Sequence, residues 1–374
     1  MLVLDRLKKV FASRTPAAPT APPRVATSAA PAAGPALDVN VYATCVHLPP
    51  TGFPHRLEGA RNRLDPDLAE HLLGFAEYVA GRDGESTPAR HEVLGHIRRT
   101  RWHTNLLVEP GHAEAFTHWA TQANAILFLG DGSVRDPQGR LLLARDGSGD
   151  PAALVPVLEE ARSRRARTDA TLGALGIELA PARAPGASAL ELQLCAPADV
   201  VHRALALLLV SERTQALCLG APMPVEALQR RLPAGRRHLT PRELGFVANG
   251  APSEDEIAHH AHAHEALAVL AWALMRAEDA PSLPALPRDA ARITGIVLRL
   301  AADNRAPRQL RPVDEILDAL DLHVRASDAL RAAGAASREP PPELHADVVR
   351  ARLRALEWLV RADDPRWDDR DDAA

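Results

Sequence analysis

Apolar and polar positions alternate over residues 38–46 (DVNVYATCV), which predicts a strand, with Cys45 and His47 pointing to one face. Helical spacing follows over 65–80 and 89–99, with breaks at 81–84 and at Pro88. Residues 103–108 read as a strand, 111–122 as a helix carrying Trp119, and 125–129 as a buried strand. Asp131-Gly132 and the stretch from Asp136 to Gly139 supply turns, and 140–143 a further strand. A helix over 151–172 would close this βααβαββ series into a small α+β domain over 38–180. Residues 180–188 (APARAPGAS) interrupt the pattern as a linker. Beyond it the period is helical almost throughout. A strongly apolar helix is expected over 197–212. Capping boxes at Thr240-Pro241-Arg242-Glu243 and from Ser253 to Glu256 open two more helices, the second running over 254–276. Helices over 290–303, 308–334 and 343–361 complete an irregular bundle over 190–372. The expected fold class is therefore α+β, with a small N-terminal α+β domain followed by a mostly α-helical C-terminal domain.

The helix over 308–334 (RQLRPVDEILDALDLHVRASDALRAAG) carries the most ordered charge. Pro312 suits its first turn, Asp314 and Glu315 lie near the positive end of its dipole, and Gly334 ends it. Ile316, Leu317, Leu320 and Val324 form the buried stripe. At about 100° per residue, Asp314, Asp318, Asp321 and Arg325 share one face within roughly 60°. Three carboxylates there repel one another, and one Arg at i,i+4 offsets only about 0.3–0.5 kcal/mol when exposed. Donors from elsewhere are expected to meet them. The nearest in sequence are Arg352, Arg354 and the indoles of Trp358 and Trp367, brought back by a helical hairpin. The candidate polar cluster is thus Asp314, Asp318, Asp321, Arg325, Arg352, Trp358 and Trp367.

EILDALDLHVR (315–325), RALEWL (354–359) and RWDD (366–369), preceded in order by LTPRELGFV (239–247) and ALAVLAWAL (266–274), resemble the bacterial domain-of-unknown-function 4272 family over 190–372. WATQANAILFLGDGSVRDPQGRLLL (119–143) resembles the extra N-terminal region of longer members, over about 38–180. The resemblance implies no activity. It would place aromatics at Val324 and Asp328 and a Trp-Arg-Tyr-like run at 262–264, where this chain differs.

Composition narrows the classes. A net charge of −4 argues against a general nucleic-acid binder. Lys8 and Lys9 are the only lysines, and the Arg excess reads as coding bias. Cys45, Cys195 and Cys218 are widely spaced with no CxxC, which implies neither a disulfide framework nor a thiolate zinc site and fits a reducing, cytoplasmic address. No run is long and apolar enough for a membrane-spanning helix. Residues 1–14 (MLVLDRLKKVFASR) read as a basic amphipathic segment suited to peripheral contact, and 15–36 as a Pro/Ala-rich linker, so that 1–37 forms a disordered N-terminus.

The Asp-Gly loops lack EF-hand and phosphate-loop spacing and read as turns. A Cys45/His47 nucleophile pair lacks the orienting group it would need. Glu256, His260 and His264 fall at i, i+4, i+8, but the run is not HExxH. Packing is the expectation there, with no metal and no cofactor. A non-enzymatic binding or interaction module with a protein or small-molecule partner is the leading expectation. The alternative is a hydrolase or metal-dependent enzyme using the Asp/Arg helix face.

Overall fold

Period-two alternation builds the first unit of the computed structural model, which describes residues 35–83, 87–179, 184–278, 280–302, 309–360 and 367–368. Strand β1 (Leu37–Ala43) sends Val39 and Val41 to one face and Tyr42 to the other. Strand β4 (Ala125–Leu129) likewise divides Leu127 from Ile126. The antiparallel sheet has the order β2-β3-β1-β4-β5-β6, with β2 (His55–Asn62), β3 (Trp102–Val108), β5 (Val134–Arg135) and β6 (Leu141–Leu143). Helices α1 (Pro66–Ala80) and α2 (Pro88–Arg99) supply Phe75, Val79, Val93 and Ile97 to the Tyr42 face. Helix α3 (Ala113–Gln122) supplies Phe116 and Trp119 to the Val41 face. Thr87 caps α2 by accepting from the Arg90 N–H, with Pro88 in the first turn. The Asp-Gly loops are turns: Asp131 accepts from Ser133, Asp136 from Arg140 and Asp146 from Ser148.

The second unit opens at Glu160. Its helices are α4 (Glu159–Ala174), α5 (Pro197–Cys218), α6 (Val225–Arg231), α7 (Pro233–Arg236), α8 (Pro241–Ala248), α9 (Glu254–His260), α10 (Ala263–Ala273), α11 (Ala290–Ala302), α12 (Val313–Ala335) and α13 (Ala346–Leu359). Helix α10 lies at the centre. Every residue from Glu265 to Leu274 is buried, as befits a helix apolar on all sides, and α5, α11 and α13 pack around it. Both expected capping boxes form, at Thr240–Glu243 and Ser253–Glu256. The chain is α+β at its N-terminal side and mostly helical beyond.

Four features differ from the sequence reading. Strand β2 is not foreseen, because only one of its eight residues is a large hydrophobe, Leu57, and that residue is exposed. The helix expected over 254–276 breaks at Ala261 and His262, ending the register of Glu256, His260 and His264. Cys45 lies past the end of β1, buried, while His47 is exposed, so the two do not form a pair. The helix expected over 151–172 begins at Glu159 and joins the helical unit. Arg164 donates to the Ala187 carbonyl at 3.0 Å, and Glu160 accepts from Ser188, so the stretch just before residue 190 is fastened to α4. The amphipathic segment and linker over 1–34 lie outside the described residues.

Candidate functional site

Helix α12 turns Asp314, Asp318, Asp321 and Arg325 to one side, as its spacing requires, and α4 meets them there. Arg165 grips Asp321 through two nitrogens, at 2.7 and 3.2 Å, with both side chains buried. Arg325 reaches Asp169 at 2.8 Å, and Asp318 faces Arg167 at 2.8 Å and Arg164 at 3.4 Å. The partners advance together along both helices, so α4 runs parallel to α12. Near the start of α12, Asp314 has its carboxyl raised above the usual range by burial and by the neighbouring Glu160 carboxyl. Burial would raise Glu160 too. Bonds from the Ala189 N–H, Ser188 and Arg164 outweigh it and hold Glu160 low. Charge on this face is matched from within the unit, and the cations come from upstream of the helix.

The other members of the expected cluster go elsewhere. Arg352 is buried on α13 and bonds Glu265 of α10 at 2.9 Å, with its remaining nitrogens donating to the Ser282 and Leu286 carbonyls at 3.1 and 2.9 Å. Trp358 and Trp367 stack edge to face at 5.8 Å. The Trp367 ring lies under two guanidinium groups, Arg203 at 4.9 Å and Arg354 at 4.7 Å. Arg203 in turn holds the buried Glu243 of the capping box. The expectation that Arg352, Trp358 and Trp367 would meet the acidic face is therefore corrected. A hairpin of α12 and α13 does form, but Arg352 leaves α13 toward α10.

The histidine run also divides. His260 is buried against Phe246, with ring centroids 4.3 Å apart. His262, at the break before α10, faces the start of α13, where its Nε2 stands 3.8 Å from Asp347 and its ring 5.2 Å from His345. His264 reaches Glu265 at 3.6 Å. Burial holds both His262 and His264 below the ordinary imidazole value, despite Asp347 beside the first and Glu265 beside the second. His262, His345 and Asp347 are the one group among the described residues with potential metal-ligand atoms close together, all within 4.8 Å. Sequence spacing gives no sign of it, since the last two lie more than eighty residues downstream of the first.

The first unit holds a cavity of about 630 Å³ beside α1, lined by Tyr42, Arg61, His71, Gly74, Phe75 and Phe128 among others. Tyr42 lies stacked on Phe75 at 4.3 Å, and its hydroxyl pairs with His71 at 3.1 Å. Burial pushes the Tyr42 phenol upward and lowers His71, the latter helped by Arg61. His103 lies behind, its ring 4.1 Å from that of His71, driven down to about 3 by burial, then by His71 and Arg61. None of these residues stands out in the sequence. The signal available to find them was the face of α1 carrying His71, Phe75 and Tyr78 at helical spacing.

Buried imidazoles give each unit a pH dependence. Burial lowers His323 of α12 to about 4 and His96 of α2 to about 3. An unfolded imidazole titrates near 6.5, so below that pH the unfolded chain takes up protons that the native chain refuses. Stability should be full above about pH 6.5 and fall as pH drops toward 4, by about 1 kcal/mol per imidazole at pH 5.5. Urea midpoints at pH 7.5 and 5.5 measure this, and His323→Leu should shrink the difference. Equal midpoints for the parent protein would contradict it.

Residues 164–370 match the family model of a domain of unknown function (DUF4272). No curated protein and no solved structure matches the chain. Among the described residues no helix is long and apolar enough to cross a membrane.

Proposed function

We propose that this chain, which belongs to the DUF4272 family, is a non-enzymatic binding module whose α+β unit takes a small molecule bearing an aromatic or other planar ring. The observation that carries this reading is the cavity beside α1. Its volume of about 630 Å³ lies within the range of small-molecule pockets, roughly 300–1,000 Å³. Its lining combines the aromatic side chains Phe75, Tyr78 and Phe128 with the neutral His71 for hydrogen bonding, and with Arg61, Asp67 and Glu70 as charged groups for polar substituents. The reading against an enzyme rests on the charged face of α12. Its buried members, Asp321 and Arg325, are held in ion pairs by Arg165 and Asp169, which accounts for both without a reaction. The three cysteines form no disulfide, which supports a cytoplasmic location.

The test exploits Gly74. A Cβ added there meets nothing within 4 Å, and the position lines the cavity from an exposed turn of α1. Gly74→Trp should therefore leave the fold intact and fill the pocket. Screening the full chain against a library of small aromatic compounds by ligand-observed NMR should identify binders, and Gly74→Trp should abolish their signals. Binders unaffected by Gly74→Trp, or no binders at all, would refute the proposal.

A further inference from the structure

We infer that His262, His345 and Asp347 form a binding site for one divalent transition-metal ion, zinc by its ligand chemistry, between the break before α10 and the first turn of α13. This goes beyond the small-molecule reading and does not rest on it, since the two sites lie in different units.

Two imidazoles and one carboxylate are a donor set that zinc and its neighbours in the first transition row accept. The potential ligand atoms lie within 4.8 Å of one another. Around zinc, with bonds of about 2.0–2.1 Å, tetrahedral ligands stand about 3.4 Å apart. Side-chain rotations that close each gap by roughly an ångström are therefore enough. Three protein ligands leave a fourth position for water or a ligand.

The surroundings are those of a built site. His262 has no hydrogen-bond partner on either ring nitrogen among the described residues. Its Nδ1 is buried, and its Nε2 stands 3.8 Å from Asp347, beyond hydrogen-bond reach. An imidazole in that position gains from a ligand in a way that a satisfied core histidine does not. Arg350, itself exposed, pairs with the other Asp347 oxygen at 2.9 Å.

The helices carrying the ligands are locked together. Glu265, three residues after His262, bonds Arg352, five residues after Asp347, in a buried ion pair. The His345 N–H donates to the Ala285 carbonyl at 3.2 Å, fixing the backbone from which that ligand projects. The charged groups facing His262 are Asp347, His345, His264 and Glu265. Arg352 is taken up by Glu265, whereas Arg350 pairs with one oxygen of Asp347 itself, so a cation binds through the other oxygen and competes with that guanidinium.

The experiment uses the full chain with zinc alone, then with cobalt as a spectroscopic substitute. Native mass spectrometry should show one zinc retained, and competition with a chromogenic chelator should give its Kd. His262→Ala and Asp347→Asn should each weaken binding by more than the roughly 10–100-fold typical of losing only an outer partner. Both should also remove the visible absorption of bound cobalt. His118→Ala, at an exposed histidine of the other unit, should bind as the parent does. Asp347→Asn keeps the shape of the side chain, so it reports on ligation even if the alanine variant folds poorly. A parent protein that takes up no zinc, or an Asp347→Asn variant that holds it equally tightly, would overturn the site.

Discussion

Arg352→Ala will destabilise the helical unit by about 3–5 kcal/mol, the cost expected when one partner of a buried ion pair is removed. Arg352 is 2% exposed and Glu265 is fully buried, so truncation strands a carboxylate inside the helical unit. The loss extends past the pair. Two guanidinium nitrogens satisfy the Ser282 and Leu286 carbonyls, and Glu265 also accepts from the Arg288 N–H. Ser282 and Leu286 are exposed, so water can take the place of the guanidinium at their carbonyls and the larger cost is that of the stranded Glu265 carboxylate. This centre therefore holds a connecting segment as well as two helices. The double variant Glu265→Leu/Arg352→Leu separates these contributions. A simple buried pair replaced by apolar side chains is often neutral. Here the double variant should keep a modest cost of about 1 kcal/mol, because the partly exposed Ser282 and Leu286 carbonyls and the Arg288 N–H exchange their side-chain partners for water. Urea unfolding followed by far-ultraviolet circular dichroism measures both. A cost below about 1 kcal/mol for Arg352→Ala would place it among ordinary surface changes and remove the lock from the account of α10 and α13.

How far these relations could be read from the chain depends on their distance along it. The capping box at Thr240–Glu243 is local and appears as expected, whereas of the stripe expected on α12 only Ile316 and Leu317 are buried, Leu320 and Val324 being half-buried. The sharing of one face by Asp318, Asp321 and Arg325 also appears, which follows from helical periodicity alone. What periodicity does not contain is the partner. Arg165 lies 156 residues before Asp321, in a helix whose own pattern is nearly uniform in polarity, with four arginines between 162 and 167. Nothing local distinguishes the buried Arg165 from the exposed Arg167. Arg352 was legible as a donor to a carboxylate but not as the partner of Glu265, since short connections make sequence neighbours the default expectation. Strand β2 was missed for the opposite reason. It is an edge strand with Arg56 and Glu58 on it, and its membership in the sheet comes from backbone pairing to β3 rather than from a buried face.

Asp321→Ala tests the reading of the α12 face, and Asp318→Ala is its internal control. Both carboxylates lie on the same side of one helix, three residues apart, and both face an arginine of α4. They differ in burial: the Asp321 side chain is 6% exposed against 49% for Asp318. The Arg165 guanidinium, itself buried, bonds both Asp321 oxygens, and removing the carboxylate strands a cation inside the unit. Asp321→Ala should cost about 3–5 kcal/mol by that argument. Asp318→Ala breaks pairs that water screens, and should cost at most about 1 kcal/mol. The Arg165→Met/Asp321→Leu double variant should recover much of the single-variant loss. Here, unlike at Arg352, the bonds run chiefly between the two side chains, so replacing both removes the stranded charge and most of its partners together. If Asp321→Ala and Asp318→Ala both cost less than about 0.5 kcal/mol, as unimportant surface changes do, then α4 does not hold α12 through these ions. The structural reading of this charged face would then lose its main support.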